Sequence, residues 1–131
     1  MRVLLDTQCW LWWVNEPERL GGRASSIIES PENEILVSVA SSWEIAIKCA
    51  IGKLKLPLPP EEYVLSRLRK CGFSSLRIEH IHALRVARLP FHHSDPFDRL
   101  LISQSQVEKL PIITSDKKFP QYDIEVIEAG K

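Results

Sequence analysis

Short apolar runs alternate with helix-like segments along this chain, and the first run stops abruptly at an aspartate. Residues 2–5 (Arg-Val-Leu-Leu) end at Asp6, 34–39 is rich in Ile and Val, and 110–114 leads into Asp116. Each reads as a buried strand, as does 124–127, and 73–78 has room for a further short one. Helices are expected over 7–14, 23–29, 42–51, from Pro60 to Lys70, over 79–87, and from Asp95-Pro96 to Glu108. Strands separated by helices imply an α/β domain with a central, mostly parallel sheet. No repeat or long linker divides residues 1–131, which therefore read as a single domain.

Local signals support the helices. In 42–51, apolar residues recur at Trp43, Ala46, Ile47, Ala50 and Ile51, the spacing of one helix face, and Gly52 sits where a left-handed cap is wanted. Glu61 and Glu62 open the next helix and Arg69 and Lys70 close it, so its charges complement its dipole. The last long helix is expected to turn Phe97, Leu100 and Leu101 inward.

Several function classes are excluded or made unlikely by composition. No apolar run nears the roughly 20 residues of a membrane span, and Arg2 is followed by no secretory pattern, so a cytoplasmic protein is expected. Cys9, Cys49 and Cys71 are odd in number, widely spaced and on expected helices, which argues against a disulfide scaffold or a zinc pair. The zero net charge hides an asymmetry, with balances of −4 over 1–44, +6 over 45–90 and −2 over 91–131. A basic middle between acidic ends suits an acidic metal site beside a phosphate-attracting surface, and equally suits solvated helix faces.

Four acids draw attention by position, and each also has an ordinary explanation. Asp6 could cap the helix after the first strand, and Glu44 could pair with Lys48 one turn on. Asp98 could serve the first turn of its helix, which Asp95 could cap, and Asp116 could stabilise a turn. Jointly they lie beyond strand ends or in expected first helical turns, places that converge on the crevice of an open α/β sheet. Carboxylates brought that close raise one another's pKa unless a cation intervenes, and oxygen-only donors suit Mg²⁺ or Mn²⁺. Such an ion can activate water toward a phosphodiester.

The strings Leu4-Leu5-Asp6-Thr7, Ser42-Trp43-Glu44-Ile45 with Lys48 and Gly52, His92-His93-Ser94-Asp95-Pro96-Phe97-Asp98-Arg99, and Thr114-Ser115-Asp116 resemble a PIN domain. More closely, they resemble the VapC-like toxins of type II toxin–antitoxin systems. The resemblance implies a three-layer α/β/α fold and Mg²⁺- or Mn²⁺-dependent endoribonuclease activity, with Asp6, Glu44, Asp98 and Asp116 as metal ligands, not all necessarily of the same ion. It further implies Thr114 as a supporting hydroxyl, RNA as substrate, an antitoxin partner and a homodimer. Gln8 departs from the histidine common after the Asp-Thr pair, at a position not expected to bind metal. Asp98 is preferred to Asp95 because the acid followed by Arg99-Leu100-Leu101-Ile102 fits the pattern, whereas Asp95 precedes Pro96 as a cap would.

Other residues carry weaker expectations. Arg99 could hold a phosphate or a neighbouring carboxylate, or orient an acid through a salt bridge. Lys48, Lys53, Lys55, Arg67, Arg69 and Lys70 are candidate RNA contacts. His80, His82, His92 and His93 lack partners at zinc-ligand spacing and are not expected as ligands, with His93 nearest the cleft mouth. Trp10, Trp12 and Trp13 are expected mainly in the core, with one of the adjacent pair available to a partner. The alternatives are a nuclease of RNA maturation or of DNA without an antitoxin, a non-catalytic binding module of this fold, and an aspartate-based phosphotransfer domain. The last is disfavoured because Asp6-Thr7-Gln8 lacks a second aspartate.

Overall fold

The computed structural model describes residues 1–130. Strands β1 (Arg2–Leu5), β2 (Glu34–Ser38), β3 (Ser74–Leu76), β4 (Ile112–Thr114) and β5 (Val126–Glu128) form one sheet in the order β3-β2-β1-β4-β5. Every neighbouring pair is parallel, with Leu4 opposite Leu36 on one side and Ile112 on the other. The helices are α1 (Thr7–Asn15), α2 (Gly22–Glu29), α3 (Val39–Ala50), α4 (Pro60–Cys71), α5 (His80–Arg85) and α6 (Pro96–Glu108).

Strand side chains alternate between two cores, as the pleat requires. Val3 and Leu5 pack with Trp10, Ala24, Ile28 and Tyr63, while Leu4 packs with Leu101, Ile102 and Phe119. Helices therefore cover both faces, which is the expected three-layer α/β/α arrangement. Trp10 is fully buried, with Trp12 and Trp13 half-buried against the same core. The three cysteines are free, and no helix among the described residues is long and apolar enough to cross a membrane.

The chain winds from β1 outward through β2 to β3, then returns to the other side of β1 for β4 and β5. The C-terminal ends of β1 and β4 thus flank the point where the winding reverses. A crevice opens at such a point because the connections on either side leave in opposite directions.

Two expectations need correction. The helix expected over 42–51 begins earlier, at Val39, because the Ser38 hydroxyl accepts the Ala40 N–H at 3.0 Å. Glu44 consequently lies in the second turn rather than the first. The apolar stripe of this helix also faces outward: Trp43 is 56% and Ile51 60% exposed, while Ala40, Ser41, Glu44 and Ile45 are buried. Packing against α1 and α6 selects that more polar face. On α6, Leu101 is buried as expected, but Phe97 and Leu100 are only half-buried.

One glycine is required by close approach. A Cβ on Gly21 would stand 2.5 Å from the Gly130 carbonyl oxygen, and the Gly21 N–H donates to the Ala129 carbonyl at 2.7 Å. The chain end beyond β5 is thereby tied to the start of α2.

Candidate active site

Asp6 is the first residue after β1 and caps α1. Its Oδ1 accepts the Cys9 N–H at 2.7 Å, and its Oδ2 accepts the Thr114 hydroxyl at 2.5 Å. One oxygen therefore serves the helix while the other is tied to β4. Burial raises the Asp6 pKa, opposed by the Thr114 and Cys9 hydrogen bonds, with the Asp116 charge adding a smaller upward push. Thr114, fully buried at the end of β4, also accepts the Asp116 N–H at 3.0 Å. Asp116 uses Oδ1 to accept the Lys118 N–H at 2.8 Å, closing a turn, and directs Oδ2 elsewhere.

From the helices come Glu44 and Asp98. Glu44 is 5% exposed; its Oε2 accepts from Lys48 Nζ at 2.7 Å. Its Oε1 is buried with no hydrogen-bond partner among the described residues. The Glu44 hydrogen bond is the largest influence on Lys48, whose pKa is raised. Asp95 is the cap of α6, its Oδ1 accepting the N–H groups of Phe97 and Asp98 at 2.8 and 3.0 Å. That leaves the Asp98 side chain free to point into the cleft. Burial, then the charges of Asp95, Glu44, Asp6 and Asp116, push its carboxyl up to about 8.

The four acids line one cavity of about 430 Å³ together with Asp95, Lys48 and Lys53. Burial first and the neighbouring carboxylates second raise Asp98, and a bound cation would relieve both. Among oxygen donors here, the unpartnered Glu44 Oε1 is the one best explained by a ligand, because a buried carboxylate oxygen without a partner is costly. An all-carboxylate donor set fits a hard divalent cation.

Other expected residues are placed differently. Arg99 is 5% exposed and meets neither a phosphate-sized opening nor an acid. Its guanidinium donates to the carbonyls of Val86, Leu89, Pro90 and His93 at 2.9–3.2 Å, and it lies over the Phe91 ring at 4.2 Å. Adjacent helix residues point about 100° apart, so Arg99 turns away from the cleft that Asp98 enters. Of the six basic candidates, only Lys48 and Lys53 line the cleft. Lys55 borders a neighbouring groove, Arg67 lies over Tyr63, and Arg69 and Lys70 end α4.

His93 is the residue that sequence reasoning underrated. The sequence suggests only a place at the cleft mouth, but its Nε2 lies 2.9 Å from Asp98 Oδ2 and 2.8 Å from Asp116 Oδ2. No local pattern shows this, because Asp116 is distant in sequence and the ring is aimed by a loop. His82, in contrast, pairs with Glu108 at 2.8 Å between α5 and α6, outside the cleft lining.

The family described as PIN domain matches residues 3–125. The chain belongs to the PIN-domain family. It is 30% identical over 125 residues to ribonuclease VapC22 of Mycobacterium tuberculosis (strain ATCC 25618 / H37Rv), covering 88% of each chain. It is 47% identical over 57 residues to ribonuclease VapC16 of the same organism, but that match spans 44% of this chain and 40% of VapC16. The solved structure of VapBC2 from Rickettsia felis, bound to a DNA fragment from their promoter, has the same fold. The TM-score is 0.73 at 14% identity, with 98% of this chain and 99% of that chain covered. PIN-domain membership implies a divalent metal, and the donor set in the cleft fits one.

Proposed function

We propose that this chain is a Mg²⁺- or Mn²⁺-dependent endoribonuclease and the toxin of a type II toxin–antitoxin pair. The observation that carries the reading is the convergence of Asp6, Glu44, Asp98 and Asp116 on one cleft of a PIN-domain chain, with one buried Glu44 oxygen left unpartnered. Those four acids hold the metal. When bound, the ion supplies the Lewis acidity that makes water nucleophilic near neutral pH. Thr114 orients Asp6 through its hydroxyl, and the Asp116 turn presents that carboxylate to the same space. Lys48 and Lys53 at the cleft give the phosphate backbone its first cationic contacts. No protein nucleophile is required.

The antitoxin partner comes from the family resemblance. The homodimer has support in the fold as well. Val39, Trp43, Ile47 and Ile51 leave an apolar stripe of α3 exposed, while Glu44 is buried. A second copy applied to that stripe would bury it.

Cleavage of a panel of structured RNAs, with and without Mg²⁺, tests the reading. Wild-type protein is expected to cut only with metal, and folded Asp6→Asn is expected not to cut. Wild-type cleavage by folded Asp6→Asn overturns the proposal. Metal binding and cleavage both absent from the wild type would favour the binding-module alternative.

A further inference from the structure

His93, Asp98 and Asp116 offer one nitrogen and two oxygens within 4.8 Å of one another, a grouping that could be taken for a metal triad. The other face of the imidazole argues against that. The backbone N–H of Asp95 donates to His93 Nδ1 at 3.2 Å. An amide N–H can only donate, so Nδ1 keeps its lone pair and the ring proton resides on Nε2. Nε2 then has no lone pair for a cation. Its hydrogen is directed to Asp116 Oδ2 at 2.8 Å, with Asp98 Oδ2 beside it at 2.9 Å.

The backbone of residue 93 is held on both sides, and the ring itself is packed. The His93 N–H donates to the Tyr122 hydroxyl at 2.8 Å, and its carbonyl accepts from Arg99 at 3.2 Å. Tyr122 in turn donates to the Pro90 carbonyl at 2.8 Å, and Phe119 meets the ring edge to face at a centroid distance of 6.0 Å. Residue 93 is 8% exposed. The loop over 86–93 is thus clamped by Arg99 from α6 and by Tyr122, with the imidazole delivered between two acids from separate elements.

We infer that His93 is a positioning residue, not a metal ligand: as the Nε2–H tautomer it donates to Asp116 and, standing between that acid and Asp98, fixes their separation for the cation. The role rests on the proposed metal site. It follows the general pattern in which hydrogen-bond donors behind the ligating carboxylates set their orientation. Gln at this position can present an N–H near the place of Nε2, whereas Asn reaches only as far as Nδ1.

Mg²⁺ titration by calorimetry of wild type, His93→Gln, His93→Asn and His93→Ala tests the inference, with the melting temperature of each recorded. His93→Ala and His93→Asn are expected to weaken Mg²⁺ binding about tenfold or more, with His93→Gln within about threefold of wild type. If Gln is as defective as Ala, or if Ala binds Mg²⁺ like wild type, the inference is overturned. Equal losses of melting temperature with unchanged Mg²⁺ affinity likewise overturn it, as they mark a purely structural residue.

Long-range ¹H–¹⁵N spectra of the wild-type ring decide the matter even if a variant does not fold. The Nε2–H tautomer is expected without metal and at Mg²⁺ saturation. Transfer of the proton to Nδ1 on saturation would show ligation and contradict the inference. Asp98→Asn tests the metal site separately: undiminished Mg²⁺ binding there removes the premise, whatever the His93 tautomer.

Discussion

Two buried histidines are held alike and set against different neighbours. His82 takes the Glu79 N–H on Nδ1 at 2.9 Å and directs Nε2 to Glu108 at 2.8 Å. His93 takes the Asp95 N–H on Nδ1 and directs Nε2 to Asp98 and Asp116. Each ring has its tautomer set by its own backbone. At His82 the single acid is on the last turn of α6, so the contact staples α5 to α6. At His93 the acids come from α6 and from the turn after β4, where further carboxylates converge. The same local device is structural at one site and, on our reading, functional at the other, and the difference is the number of acids it faces.

The largest effect belongs to the acids that make the second site different. Asp6→Asn is expected to lower Mg²⁺-dependent RNA cleavage by at least about a thousandfold, roughly 4 kcal/mol of transition-state stabilisation. Its melting temperature is expected to hold, because the amide oxygen can still accept the Cys9 N–H and burial already disfavours the charge. A variant that melts early and cuts normally would reverse the assignment.

Acidity separates the two regions next. Asp98 is held at about 8 in the fold against an ordinary 3.8, so the folded state retains a proton that the unfolded state has lost between those values. Metal-free stability is therefore expected to fall as pH rises from about 4 through about 8. Melts with EDTA should show that decline, Asp98→Asn should flatten it, and Mg²⁺ should raise the melting temperature more at pH 8 than at pH 5. A pH-independent wild type would contradict this.

Arg99→Ala should combine both kinds of effect. Removing a buried guanidinium that serves carbonyls at 86, 89, 90 and 93 is expected to cost about 3 kcal/mol, measured by urea unfolding. Mg²⁺ affinity should fall too, since His93 loses part of its clamp. His82→Ala is the smaller counterpart: about 2 kcal/mol of stability from a lost buried ring and its hydrogen bonds, with cleavage per folded molecule unchanged. Lost cleavage in folded His82→Ala would erase the distinction between the two histidines.

Much of the fold was legible because its determinants are local. Apolar runs at 2–5, 34–39 and 110–114 contain β1, β2 and β4, and their separation by helices implied the parallel sheet. The orientation of α3 was not legible. Periodicity identifies the apolar face, and here Trp43, Ile47 and Ile51 face solvent while Ser41 is buried against Thr7 and Glu44 lines the cleft. A buried polar face beside an active-site crevice looks, in sequence, like an exterior.

The four acids could be selected because strand ends and helix starts converge in this topology. Their ordinary explanations also hold: Asp6 caps α1, Glu44 pairs with Lys48, and Asp116 closes a turn. A carboxylate has two oxygens: Asp6 caps the helix with one and meets Thr114 with the other, while Glu44 pairs with Lys48 through one and leaves the other unpartnered. The dependence of His93 on Arg99, Tyr122 and Asp116 had no local signature. Arg99 was misread through its adjacency to Asp98, which on a helix separates two side chains instead of pairing them.

The central claim is that these carboxylates form one divalent-metal site. Electron paramagnetic resonance of Mn²⁺ titrated into wild type, Asp6→Asn and Asp98→Asn measures it directly, since bound ion is distinguished from free. Saturable binding by the wild type, weakened at least about tenfold in both folded variants, is the predicted result. Absence of saturable binding by the wild type, or equal binding by all three, would contradict the account.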